Sequence, residues 1–183
     1  NFDMLQPDLS DTILQSKNRR VALAYCNSLS EYIDFVNKKL DEEKKVAYYF
    51  FPMTAEIMLA LDMLPLCYEF FGGMSAGQYV HGCEDGVDRI QSEGYPDHLC
   101  ATQKATSGYL LMGIVPKPDL LIKQAIGCDP SNRMYEWASV TFGAPLITME
   151  TPLYYNERAF RFSVDEVKRM IKQLENISGN SLD

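Results

Sequence analysis

The chain has 183 residues, 46% of them hydrophobic and 23% charged, with 25 acidic against 17 basic side chains and a net charge of -8. That length and hydrophobic fraction fit one globular domain with a real core, or at most one and a half, and exclude disorder, while the acidic balance excludes a basic surface for nucleic acid. No apolar run approaches the roughly 18 to 20 residues of a membrane span, and NFDMLQPDLSD has neither the basic nor the apolar region of a signal peptide, so a soluble, cytoplasmic protein is expected.

From Ser10 to about Leu40, apolar residues such as Ile13, Leu14, Val21, Ile33 and Val36 recur at helical spacing with an interruption near Asn27, which predicts two helices. KVAYYFF (45–51) reads as a buried strand ended by Pro52, and Thr54 then caps a helix from Glu56 to Leu61. LPLCYEFF (64–71) reads as a second strand, stopped by Gly72 and Gly73. Helical patterns follow over 75–90 and 97–113, the latter opening at Pro96 and Asp97. PDLLIKQAIG (118–127) carries a third strand, and Asp129-Pro130-Ser131 opens a helix through Tyr135 and Trp137 that Gly143 closes. APLITM (144–149) is a fourth strand; Ser163 then caps an amphipathic helix over Val164 to Ile177, with Gly179 just beyond its end.

This alternation predicts an α/β fold, a parallel four-stranded sheet flanked by helices over residues 45–183, preceded by a helical segment over 1–44. Ligands of such sheets collect at the carboxyl ends of the strands, where Pro52, Cys67, Cys128 and Thr151-Pro152 fall. The chain begins without Met and stops just after a helical pattern, at SGNSLD, and is expected to be part of something longer.

Cys26, Cys67, Cys83, Cys100 and Cys128 are odd in number and widely spaced, with no CxxC pair, which argues against a disulfide framework and a zinc ribbon. The simplest reading of each is a small buried hydrophobe, with Cys26 in a helix core and Cys83 on an exposed polar segment. Cys128 fits a buried strand end equally well. With only His81 and His98, a histidine metal site or triad has little material. Neither GxGxxG, GxxxxGK[ST] nor GxSxG occurs, and Ser107-Gly108 reads as a packing site. Thiolates brought together by the fold leave an iron-sulfur cluster open. Cys100, one turn into its expected helix, would have the positive end of a helix dipole to favour thiolate. Glu56 is either a first-turn acid complementing its helix or a carboxylate facing the crevice. Lys104, Lys117 and Lys123 read as solvated charges, and Tyr135 and Trp137 as core.

Three stretches then point further: VAYYFFPMTAEIMLALDMLPLCYEF, YPDHLCATQKATSGYLLMGIVPKPDLLI and GCDPSNRMYEWASVTFGAPLITMETP. In this order they resemble the D-component family of 2-hydroxyacyl-CoA dehydratases and benzoyl-CoA reductases, and VDEVKRMIKQLENISGNSLD resembles the helix closing that family's first domain. The resemblance implies an oxygen-sensitive subunit in which two related α/β domains hold a 4Fe-4S cluster on three cysteines, delivering low-potential electrons to an acyl-CoA substrate. By position Cys67 and Cys100 match the first two ligands, the third belonging to a second domain outside this chain, and Glu56 is a candidate catalytic carboxylate. Implied partners are a homologous second subunit and a separate ATP-dependent activator. Hydroxyl elimination and ring reduction both stay open. Two rivals are a non-catalytic acyl-CoA-binding or assembly subunit of the same heterodimer without a cluster, and an unrelated cytosolic α/β binding module whose cysteines are all core.

Overall fold

In a computed structural model of the chain, the structure describes residues 17–51, 53, 55–78 and 83–182. The expectations for residues 10–16, for the Pro52 stop, the Thr54 cap and His81 lie outside those residues. Helix α1 (Arg19–Asp41) leads into strand β1 (Val46–Tyr49), the short α2 (Glu56–Ala60) and β2 (Leu64–Cys67). Helices α3 (Tyr68–Gln78), α4 (Glu84–Gln91) and α5 (Ala101–Met112) follow, then β3 (Leu120–Gln124), α6 (Asp129–Phe142), β4 (Leu146–Met149) and α7 (Glu157–Ser178).

The four strands form one parallel sheet in the order β2-β1-β3-β4, as the alternation of strand and helix predicts. Pro65 sits in β2, at the sheet edge, where its missing N–H breaks no ladder bond. Successive side chains of a strand point to opposite faces, so each central strand feeds two cores. Tyr48 and Leu121 join Leu29, Tyr68, Phe71, Tyr109 and Tyr135 on one face, covered by α1, α3, α5 and α6. Ala47, Leu120 and Ile122 meet Met58, Met170 and Leu174 on the other, covered by α2 and α7. Each large apolar side chain fully buried this way contributes about 1.5–3 kcal/mol.

Several expected boundaries move. Among the described residues of the N-terminal segment, Arg19–Asp41 is one helix without the break expected near Asn27: Ala22, Cys26, Leu29, Ile33 and Val36 form one buried stripe, while Val21, Leu23 and Tyr25 are exposed and blur the pattern. The second strand stops at Cys67, and Tyr68 to Gln78 is helix rather than strand, running through Gly72 and Gly73. An apolar run of this length fits either structure by periodicity. The helix wins because Tyr68 and Phe71, three residues apart, both enter the core, and because Gly72 lets α3 close on α5: a Cβ there would lie 2.1 Å from the Thr102 carbonyl oxygen. Helix α7 starts at Glu157, seven residues before the expected Val164, with Asn156 and not Ser163 as its cap; Asn156 Oδ1 accepts from the Ala159 N–H at 2.8 Å. The exposed Phe160 and Phe162 conceal that first turn from an amphipathic reading. Gly143 and Gly179 do end their helices left-handed, at φ 67° and 81°. Arg169 donates to Thr148 O and to Glu166, whose carboxylate also accepts from the Glu150 N–H, so α7 is latched to the end of β4. No helix among the described residues is long and apolar enough to cross a membrane.

Candidate active site

Helix α5 is buried although it is rich in polar residues: Gln103, Lys104, Thr106 and Ser107 are all at most 3% exposed. Such a helix needs partners for each polar group. Its neighbours come close because they carry glycine. A Cβ on Gly108 would stand 1.8 Å from the Gly86 carbonyl oxygen, so α4 and α5 touch backbone to backbone there. On the α3 side Thr106 Oγ1 donates to Tyr68 O at 2.7 Å and accepts from the Gly72 N–H at 3.0 Å, and the Tyr68 hydroxyl lies 2.7 Å from Ser107 Oγ.

At the amino end of α5 these contacts culminate in a polar cluster beside the carboxyl end of β2. Gln103 Nε2 donates to Glu69 Oε1 and to Ser131 Oγ, both at 2.6 Å, and Ser131 Oγ is 3.3 Å from the same carboxylate oxygen. The Cys67 thiol donates to Glu69 Oε2 at 3.5 Å. Burial raises the Glu69 carboxyl above its ordinary range, with the donors from Gln103, Cys67 and Ser131 opposing the shift. Desolvation thereby favours its protonated form. Gln103 Oε1 and the Tyr135 hydroxyl are buried without a protein partner, and the Tyr135 ring stacks at 4.8 Å on Tyr68.

Three cysteines surround this cluster in sequence, each just ahead of one of its members: Cys67 before Glu69, Cys100 before Gln103 and Cys128 before Ser131. Their environments differ. Cys67 is half-buried, and burial followed by the nearby Glu69 charge pushes its thiol up to about 12. Cys100 is exposed and occupies the N-cap position of α5, rather than standing one turn inside a helix begun at Asp97. The extended backbone of Cys100 delays the helix, while Asp97 O accepts from Lys104 Nζ at 2.9 Å. Cys128 holds the matching N-cap position of α6, and neither thiol makes a capping bond. The Gln103–Ser131 bond therefore ties together the first turns of two helices that each begin with a cysteine. Both are ends where unpaired N–H groups and the helix dipole stabilise an anion. Among the described residues no three of His, Cys, Asp and Glu gather as a metal site.

Glu56 stands apart. It is exposed on α2, whose Met58 packs on the opposite face of the sheet, and it approaches the β1 end only closely enough for its charge to help raise the Tyr49 phenol. The carboxyl that the fold builds into the crevice is Glu69, the sole charge inside the apolar run LPLCYEFF, a signal lost when that run is taken as a strand. Cys26 is core, as expected; Cys83 is itself half-buried against the core, although the Glu84 and Asp85 that follow it are exposed. Lys104 and Lys123 are 3% and 5% exposed, not solvated: the first meets Asp97 O and the second forms an ion pair with Glu136 at 2.8 Å. Tyr135 is core, and Trp137 packs edge-to-face with Tyr95 and Phe142.

The family model for the 2-hydroxyglutaryl-CoA dehydratase D-component matches residues 49–183, from the last residue of β1 to the end of the chain. No curated protein matches the chain. A match across β2, β3, β4, the polar cluster and all three cysteines around it means that the chain belongs to the 2-hydroxyglutaryl-CoA dehydratase D-component family, as a subunit of the 2-hydroxyacyl-CoA dehydratase type.

Proposed function

We propose that this chain is the iron-sulfur subunit of an enzyme that removes a hydroxyl group from a 2-hydroxyacyl-CoA, working with a homologous second subunit and a separate ATP-dependent activator. The observation that carries the reading is the pair of cysteines at the joined starts of α5 and α6 beside the half-buried Glu69 carboxyl, which desolvation raises above its ordinary range. Cys100 and Cys128 fit two positions of a thiolate set: one is exposed and the other half-buried, and both begin helices whose dipoles favour bound anionic sulfur. Cys67, the ligand its sequence position implies, is half-buried and donates to Glu69, with its thiol pushed up to about 12, so iron bound there would have to displace that proton and break that contact. A 4Fe-4S cluster bound there supplies electrons at low potential, in a range that reaches about -700 mV, together with a Lewis-acidic iron.

The remaining work falls to the chain's own residues. Gln103 and Ser131 orient the Glu69 carboxyl, and the raised affinity of that group for a proton suits it to take one from the acyl carbon or to give one to the departing hydroxyl. Glu69 takes the catalytic role in this reading, and Glu56, exposed on the other face, does not. In the anaerobically purified subunit, Cys100→Ser should lower iron and acid-labile sulfide together with visible absorption; iron and absorption equal to wild type would refute the assignment.

A further inference from the structure

A second feature lies on the far side of Cys67 from the polar cluster. An apolar pocket of about 260 Å³ opens there, walled by Tyr25, Leu29 and Tyr32 of α1, by Tyr49 at the end of β1 and by Phe70 of α3, with Cys67 in its lining and Ser28 at its edge. Tyr32 and Phe70 pack edge-to-face at 5.3 Å and make one wall rigid. The pocket sits at the carboxyl ends of β1 and β2, where parallel sheets bind ligands. Its size is informative: an apolar cavity of about 150 Å³ already accepts benzene, so this one has room for a ring or a branched chain of several carbons, but not for a nucleotide.

We infer that this pocket receives the acyl group of the thioester substrate, and that α1 sets which acyl groups fit. The inference rests on the acyl-CoA reading above and deepens it. Cys67 lines the pocket and donates to Glu69, so a chain seated there ends one side chain from the carboxyl that handles protons. Four of the seven lining residues belong to α1, which precedes the family match at residue 49. The floor therefore comes from the shared fold and the wall from a helix outside it, an arrangement that lets specificity change without disturbing the chemistry. The hydroxyls of Tyr25, Ser28, Tyr32 and Tyr49 add polar atoms to a mainly apolar lining without any charge, which suits an uncharged acyl group over a charged one.

The test is calorimetric titration of the purified chain with hexanoyl-pantetheine and with pantetheine, alongside Ser28→Trp and Ser28→Ala. Ser28 is exposed on α1, so Trp fills the pocket mouth without entering the core. Wild type should prefer hexanoyl-pantetheine by about tenfold or more, Ser28→Trp should abolish that preference and Ser28→Ala should keep it. Equal binding of the two compounds by wild type, or an undiminished preference in Ser28→Trp, would overturn the inference. As a second measurement, the ring signals of Tyr32 and Tyr49 should shift in NMR spectra of wild type on adding hexanoyl-pantetheine; unmoved signals count against the pocket. Because the titration needs no iron, an iron-free chain that keeps the preference upholds this inference while the cluster assignment falls. An iron-loaded chain without the preference does the reverse.

Discussion

At the end of β2, Cys67 is enclosed by the Tyr49 and Phe70 pocket on one side and by Glu69 on the other, and its thiol is held neutral. At the starts of α5 and α6, Cys100 and Cys128 hold the N-cap positions without a side-chain capping bond, one exposed and one half-buried. Both regions touch the same Glu69–Gln103–Ser131 cluster. The contrast shows that nearness to a site does not decide what a cysteine does there. Desolvation beside a carboxylate favours the thiol form of Cys67, whereas Cys100 and Cys128 stand at helix starts joined by the Gln103–Ser131 bond. On the proposed function, one region suits a lining and the other a ligand.

The largest effect should come from unseating α5. Gly108→Ala places a methyl group inside the Gly86 carbonyl and should cost about 3 kcal/mol in denaturant unfolding, whereas Gly73→Ala, whose nearest neighbour would be the Thr102 methyl at 3.8 Å, should be close to neutral. Equal costs would mean that the close α4–α5 approach does not hold the Cys100 end in place.

A smaller effect separates the thiols directly. With iodoacetamide at pH 8 and mass-spectrometric mapping of the iron-free chain, Cys67 should react at least about tenfold more slowly than Cys100. Comparable rates would remove the distinction between the two regions.

The smallest is a slope. Because burial raises the Glu69 carboxyl, the folded chain holds its proton to higher pH than the unfolded chain does. Its contribution to stability is therefore full below the ordinary carboxyl range and declines as pH rises through the raised value. Glu69→Gln should flatten that decline in unfolding curves taken across pH 4 to 8, with little change at the acid end. The opposite sign would apply to Glu166, lowered to about 2 by Arg169 and the Glu150 N–H, whose contribution is lost only on acidification.

The sheet was legible because its strands are short apolar runs separated by helix-period segments, and the family resemblance followed from the order of those pieces. The family model then matched them from Tyr49 onward. What stayed hidden depends on tertiary contact. The periodicity of LPLCYEFF cannot tell strand from helix, so it hides Glu69, whereas Glu56 has a visible helix-start setting. The link between Cys100 and Cys128 runs through a side-chain bond between residues 28 apart, and no local pattern announces it. Lys104 and Lys123 show the same limit: isolated lysines in sequence became buried, partnered groups once α5 and β3 took their places.

The central claim is that the helix-start pair, not the strand-end thiol, holds iron. It is tested most directly by measuring iron and acid-labile sulfide in anaerobically purified Cys67→Ser and Cys128→Ser subunits against wild type. Cys128→Ser should lose most of its iron and Cys67→Ser should keep it. Iron retained in Cys128→Ser and lost in Cys67→Ser would contradict the account.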